Sequence, residues 1–559
     1  MADVLLVSEF NPDLVARFIA VDRRAPLLSI ETAPYGQVFQ TLSAERPGSN
    51  ATNLFLWTRP EGIAAPFATL TRGEDVPIGS ILDAVDTFAE TVKRAAPRYR
   101  TILVASWTRS ESGRGFGLLD WSVGGQASAL ARMNLRLAEH FDGCSNVRVL
   151  DSQRWLDAAH PARDARYWYT IKFPFTDSVA HAAALDVKAA IRAFAGLSRK
   201  LVVLDLDGTL WGGVIGETGW QGIRLGGHDA VGEAYVDFQR ALKMLSLRGI
   251  ALGVVSKNTE TVALEAFDEH PEMVLRRSDL AGWRINWRDK AENLVELVQG
   301  LGLGLQSVVF IDDKAIERGR IAEALPAVLV PDWPNDVFRY AGTLRELDCF
   351  DQPLLTAEDR SRSMMYAAQR ERTESQLVAG SIEDWLSGLG VRASVEAVSA
   401  ENLSRATQLA NKTNQMNLKT RRFVGSEFMH WLSEAEGRQA LAIRVTDRFG
   451  DVGLTGLISW EPAGDALEII DFVLSCRAMG RQIENVMVHL AVEAARKRGS
   501  SRVIACFTPT VRNGPCREFW ASSGFDEREA NRFVWDATEP YPKPAFIVVE
   551  AEAERTTIS

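Results

Sequence analysis

Along the first half of the chain, apolar positions run unbroken for four or five residues and then stop at a polar or glycine-containing turn. ADVLLV (2–7), NLFLW (53–57) and TILVAS (101–106) are runs of this kind, and VRVLDSQRW (147–155) adds another strand. Short continuous apolar runs suit strands buried on both faces. Between them, DLVARFIAVDRR, DAVDTFAETVKRAA and ALARMNLRLAEHF repeat apolar residues at the spacing of one helix face. Strand and helix in alternation predict a parallel α/β domain over residues 1–195. The pattern begins again at LVVLDLD. Here IALGVVS and SVVFIDD read as strands, and YVDFQRALKMLSLRG, TETVALEAFDEH and KAENLVELVQGLG as helices. This is a second α/β unit, over 196–350.

A charged helical segment, SRSMMYAAQRERTESQ, marks a linker over 351–374. The period then changes. LAIRVTDRFGDVGLTGLISWEP and ALEIIDFVLSC alternate as antiparallel strands do, and a helix (ENVMVHLAVEAARKRG), a strand (RVIACFT) and a short helix (GPCREFWASSGF) follow. A third unit is placed at 375–540, and 541–559 is expected to fray as a tail. The fold class is α/β multidomain, with no internal repeat.

A chain of 559 residues suits three or four domains. The formal net charge of -10 argues against general nucleic-acid binding. No apolar run reaches a membrane span, and MADVLLVSEFNPD lacks the basic start of a signal peptide. Five cysteines, an odd number, do not make a disulfide framework. A cytoplasmic protein is expected.

One stretch changes the picture. LVVLDLDGTLW ends an apolar strand on two aspartates, Asp205 and Asp207, with Gly208 allowing a sharp turn. Like charges at the end of a buried strand need compensation. In parallel sheets, ligands gather at the carboxyl ends of strands. Ser256 follows IALGVV, Asp312 and Asp313 follow VVFI, and Lys290 opens a helix. The set suits phosphoryl transfer. One aspartate attacks phosphorus and its neighbour trades protons. A hard cation tolerates the clustered carboxylates, and Ser256 and Lys290 hold phosphoryl oxygens.

These four motifs, in this order, resemble those of the haloacid dehalogenase (HAD) phosphotransferase superfamily. The resemblance implies a HAD-like Rossmannoid sheet. Asp205 would be the nucleophile and Asp207 the acid/base. Mg²⁺ would be bound by Asp205, Asp207, Asp312 and Asp313, with Thr209, Ser256 and Lys290 on the phosphate. The gaps from Asp205 to Ser256 and from Ser256 to Lys290 hold no cap domain, only a helix each, a Gly-rich flap and a short strand. Cover from the flanking domains is expected instead.

The third unit resembles the GNAT acetyltransferase fold. Cys476 ends a strand and is followed by Arg477, Gly480, Arg481 and Gln482, where such enzymes carry R-x-x-G-x-G/A to cradle a pyrophosphate. Gln482 departs from that pattern, and Trp520 stands where such folds carry Tyr. Cys476 has two readings: a thiolate favoured by Arg477 and a helix N-terminus, or a small buried hydrophobe. Cys506 and Cys516 suit the second reading, and Cys144 and Cys349 lack supporting context.

Over nearly the full chain, VLLVSEFNPD, YGQVFQ, WYTIKFPF, DLDGTLWGGVIGE, FIDDKAIER, QLANKTNQMNLKTRRF, RVTDRFGDVGLTG and DFVLSCRAMGR together resemble the FkbH-like proteins of polyketide biosynthesis. Lys314-Ala315 stands where that family often has Asn-Pro. The N-terminal domain resembles a degenerate SGNH hydrolase: Ser8 is followed by Glu9-Phe10, TILVASW lacks a G-x-N-D, and no D-x-x-H is expected to close the set.

The resemblance implies a glyceryl transferase/phosphatase. It would take a glyceryl unit from 1,3-bisphosphoglycerate or a similar acyl phosphate, remove phosphate and load an acyl carrier protein through its phosphopantetheine thiol. Cys476 would carry the acyl group. The polar run Asn411, Asn414, Gln415, Asn417 with Arg421 and Arg422 suits either the glyceryl unit or a loop that caps its own backbone. Arg477 and Arg481 complete the expected substrate set. For an acidic carrier, Arg496-Lys497-Arg498, Arg502, Arg370 and Arg372 are candidate contacts. The alternative is a phosphatase of a small phosphorylated metabolite, its flanking domains serving only as cover.

Overall fold

Val4–Val7 (β1) reads VLLV and is buried at every position. It can be so only inside a sheet covered on both faces. In a computed structural model, β1 lies in an all-parallel sheet with Ile30–Thr32 (β2), Asn53–Leu56 (β3), Thr101–Ala105 (β4) and Val147–Leu150 (β5), in the order β2-β1-β3-β4-β5. The helices Ile78–Ala95 and Gln126–Phe141 contribute to the core on one face. Asp13–Val21 and Asp177–Phe194 contribute to the core on the other. The strand expected over 147–155 stops at Leu150, because Gln153–Asp157 turns into a helix.

The described residues are 3–44, 49–109, 113–355, 382–422 and 425–551. They fall into two units, Met1–Ser198 with Asp351–Leu354, and Arg199–Phe350 with Leu355–Ser559. The first residues of the expected linker thus belong to the N-terminal unit, where Arg148 Nε donates to the Pro353 carbonyl at 2.7 Å. The charged segment with Arg370 and Arg372 lies outside the described residues.

The second unit opens with a four-stranded parallel sheet. Leu201–Leu204 (β6) and Ala251–Ser256 (β7) are its centre, with Leu280–Ile285 (β8) beside β7 and Val308–Ile311 (β9) beside β6. All residues of β6, β7 and β9 are buried. The stretch after Asp207 forms the expected flap, with one helical turn at Ile215–Thr218 and a bridge between Gly212 and Arg224.

The C-terminal sheet is mostly antiparallel. It runs Asp526–Glu529 (β16), Arg532–Asp536 (β17), Arg502–Cys506 (β15), Ala466–Leu474 (β14), Gly450–Ala463 (β13), Gln439–Asp447 (β12), Arg392–Ala397 (β10) and Val548–Ala551 (β18), with Met416–Asn417 (β11) paired to β14. β14 and β15 pair in parallel, joined through the helix Ile483–Arg498. This is the α+β arrangement that the GNAT resemblance implied. The centre of β13 is buried at nine consecutive positions rather than alternately. Met487 and Val488 pack on one side, and Leu409 and Phe428 on the other. The tail expected from 541 is also corrected. Tyr541 and Ile547 are buried, and β18 adds a strand in parallel to β10. Among the described residues, no helix is long and apolar enough to cross a membrane.

Candidate active site

β6 ends at Leu204, so Asp205 and Asp207 lie beyond the strand and its two-residue alternation no longer governs them. The chain turns at once: Leu210 N–H donates to the Leu206 carbonyl at 2.8 Å and Gly208 N–H to that of Trp211 at 2.8 Å. Gly208 has φ +78°, and a Cβ there would sit 2.5 Å from Asp313 Oδ2. Gly208→Ala is expected to cost about 2 kcal/mol of stability and to displace Asp313; a thermal melt and a divalent-cation titration check both.

Asp205, Asp312 and Asp313 converge, each offering an oxygen within 4.8 Å of the others. The buried Lys290 sits among them, 2.6 Å from Asp312 Oδ2 and 3.1 Å from Asp205 Oδ2. Burial opposes its charge, but Asp205 and Asp312 outweigh that and hold the ammonium above its ordinary value. Burial and then the Asp205 charge push Asp312 up to about 6. The same two causes raise Asp313. Three carboxylates that resist shared ionisation, with one lysine between two of them, make a site suited to a divalent cation. Thr209 Oγ1 accepts the Asp313 N–H at 3.1 Å, and Ser256 is buried at the end of β7.

Asp207 departs from the expected ligand set. Its Oδ1 accepts the Trp211 indole N–H at 2.8 Å and the Ile215 N–H at 3.1 Å, and its Oδ2 accepts from Asn258 at 2.9 Å. Its side chain is therefore not one of the three that converge. The turn after Leu204 aims it at the flap, where Ile215 N–H meets it.

Several residues that build the site escaped the sequence reading. Tyr235 and Tyr340 both donate their hydroxyls to the Gly208 carbonyl at 3.2 Å. Arg318 donates to the carbonyls of Asp312 and Asp313, each at 2.8 Å. Trp211 and Asn258 had a signal in their place beside the motifs. Tyr235, Tyr340 and Arg318 had none, since their contacts come from other segments.

In the C-terminal domain, Cys476 is partly exposed, whereas Cys516 is buried and burial pushes its thiol up to about 12. Burial also raises Cys506. Cys476 lies against Gly302: a Cβ added there would meet its Sγ at 3.7 Å. Gly302 follows the 11-residue helix Lys290–Gly300, which is about 16 Å long. Cys476 and Lys290 thus lie at opposite ends of one helix.

The loop from Arg477 to Gln482 is occupied by the chain itself. Gly480 N–H donates to Glu484 Oε1 at 3.1 Å, and buried Arg481 pairs with Asp447 at 3.1 Å. Arg477 Nε donates to Ser475 Oγ at 3.3 Å. The Glu484 side chain thus takes up the loop N–H that GNAT enzymes turn to a pyrophosphate. Asn417 likewise serves its own loop, donating to Thr413 O at 3.1 Å and accepting from Thr420 N at 2.8 Å. Arg422 bonds the Asn414 side chain and the Ala410 carbonyl, and Arg421 lies 3.7 Å from buried Asp471. Asn411 is partly buried and Gln415 is exposed. Arg496 and Arg502 are exposed and paired with Glu493 and Asp465.

In the N-terminal unit the sequence does carry one D-x-x-H, Asp157 to His160, both exposed. Ser8 is fully buried and its Oγ accepts the Phe10 N–H at 3.1 Å. Beside it, burial pushes Glu9 up to about 7 although Arg59 bonds it. Glu9 therefore stabilises the fold fully below about pH 4.5, and that contribution is lost as pH rises through about 7. Glu9→Gln is expected to flatten this loss, on the order of 2 kcal/mol, in melts from pH 5 to 8.

The strand-end carboxylates, the buried lysine and the parallel sheet define a HAD-like phosphatase domain, and the chain is an enzyme. Over 63% of its length it is similar to the N-terminal part of BF1531 from Bacteroides fragilis, which contains a phosphatase domain and was crystallised with Mg; the identity is 25%, 94% of that chain is covered and the TM-score is 0.57. The GNAT domain of S. lividans PAT is matched over 25% of this chain and 89% of that one, at 15% identity and a TM-score of 0.21. The ribosomal-protein-S18-alanine N-acetyltransferase of Escherichia coli is matched over 25% and 88%, at 10% identity and 0.20. No family model and no curated protein matches the chain significantly.

Proposed function

We propose that the chain is a Mg²⁺-dependent phosphatase and acyl transferase of the FkbH-like kind. It would take a glyceryl unit from 1,3-bisphosphoglycerate and load it, dephosphorylated, onto an acyl carrier protein. The observation that carries the phosphatase half is the convergence of Asp205, Asp312 and Asp313 around Lys290. Asp205 attacks phosphorus and the bond to the leaving oxygen breaks. Asp207 gives that oxygen its proton, then takes one from the water that cleaves the aspartyl phosphate. Trp211 and Asn258 orient Asp207 for both transfers, and Lys290 with Ser256 binds phosphoryl oxygens. A Mg²⁺ ion held by Asp205, Asp312 and Asp313 would neutralise phosphate charge. The Mg bound to the similar domain of BF1531 supports this choice of cation.

For the transferase half, the Cys476 thiolate displaces phosphate from the acyl phosphate to give a thioester, and the carrier thiol then displaces Cys476. Partial exposure of Cys476 is consistent with this role. Its place at the far end of the helix from Lys290 requires the acyl unit to travel between the two chemistries, a task suited to a carrier's flexible arm. The same separation, with Glu484 filling the anion loop, also favours a second reading, a phosphatase of a free small metabolite. Incubation with 1,3-bisphosphoglycerate, Mg²⁺ and a carrier protein, followed by intact mass, separates them. A glyceryl adduct on the carrier supports loading, and phosphate release with no adduct supports the second reading. Cys476→Ala is expected to abolish the adduct while phosphate release from a small phosphate ester persists. Full loading by that variant excludes the thioester.

A further inference from the structure

Beyond the carboxyl ends of β4 and β5, the N-terminal unit carries an open cleft of about 700 Å³. That is within the range of about 300–1,000 Å³ of small-molecule sites. Trp107, Leu130, Ala131 and Trp121 give it apolar walls, and Arg109 and Arg163 also line it.

The two arginines differ. Arg109 is neutralised by Asp120, 2.9 Å away, which also accepts the Phe116 N–H. Arg163 has no carboxylate within ion-pair distance among the described residues. One Nη donates to the Arg109 carbonyl, the guanidinium lies 5.5 Å from the Phe175 ring centroid, and Nε is buried without a partner. Burial alone pushes this group below its ordinary value, with no opposing negative charge. Asp151, the acidic residue of the wall, is exposed and accepts the Gln153 N–H. A half-buried cation without a counter-ion is costly unless something supplies the charge. Trp121 adds an indole that is 75% exposed at the cavity. None of these residues takes part in the phosphotransfer site.

We propose that this cavity binds a small organic anion, its carboxylate or phosphate head held by Arg163 and its apolar or aromatic body packed against Trp107, Leu130 and Trp121. The domain is then a ligand-binding module. A bidentate guanidinium–oxyanion pair suits an arginine that lines the cleft with no ion pair among the described residues.

The full-length protein in EDTA is titrated by calorimetry with phenylphosphonate, benzoate and benzyl alcohol. Phenylphosphonate and benzoate stand for the two head groups, and benzyl alcohol is the neutral control. At least one anion is expected to bind with one-to-one stoichiometry, about tenfold or more tightly than benzyl alcohol. Whichever anion binds identifies the head group. Arg163→Gln is expected to lower that affinity about tenfold, with Arg163→Lys between the two. Ala131→Trp, which fills the cavity without touching the charge, is expected to abolish binding in a protein of unchanged melting temperature. It decides the question if Arg163→Gln does not fold. The absence of saturable binding by both anions, equal binding of benzyl alcohol, or full affinity in Ala131→Trp overturns the proposal.

Discussion

Asp205→Asn is expected to lower phosphate release by at least about a thousandfold, because the proposed mechanism makes Asp205 the nucleophile. The same variant is not expected to unfold. Asp205 is one of the charges that raise Asp312 and Asp313, so removing it relieves repulsion, and Lys290 keeps Asp312 at 2.6 Å. Phosphate release from a small ester and a thermal melt in EDTA test both halves. Phosphate release at the wild-type rate assigns the nucleophile elsewhere.

Lys290→Met should have the opposite balance. It also abolishes turnover, but it leaves Asp205 and Asp312 buried and facing each other without a cation. Breaking a buried charge cluster by removing one partner costs about 3–5 kcal/mol. The melting temperature in EDTA is therefore expected to drop well below that of Asp205→Asn. Added Mg²⁺ should recover part of the loss, since a bound cation replaces the missing charge. The comparison is informative because both variants are inactive: a difference in stability, and its dependence on Mg²⁺, reports on the carboxylates rather than on catalysis. Equal melts for the two variants, with and without Mg²⁺, would show that Lys290 does not hold the cluster together.

The order of elements was largely legible in the sequence. LVVL and VVFI could be read as buried strands because every position is apolar, and the structure buries every one. Strand-end positions could be read too, which is why Asp205, Ser256, Lys290, Asp312 and Asp313 were found together. The reading failed where a local pattern has two outcomes. VRVLDSQRW reads as one strand, and the chain turns into a helix at Gln153. The segment from 541 carries the apolar run AFIVV after two prolines, and only the pairing of β18 with β10 shows that it is a strand and not a tail. Asn417 and Arg481 are polar groups of the kind that bind substrates, and only their neighbours show that they are already bonded.

The sequence by itself determined which acidic and basic residues stand at the strand ends of the second unit. Residue type and position at a strand end suffice for that, since a parallel sheet brings the carboxyl ends of its strands together. The tertiary structure alone decided the direction of each group. Asp207 points to Trp211 and Asn258 instead of to the carboxylate cluster, Arg481 of the expected substrate set pairs with Asp447, and Cys476 lies a helix length from Lys290. Each depends on a contact between segments distant in the chain or on a turn whose sense the local pattern does not encode. Orientation and separation are set by packing, and packing is a property of the folded whole.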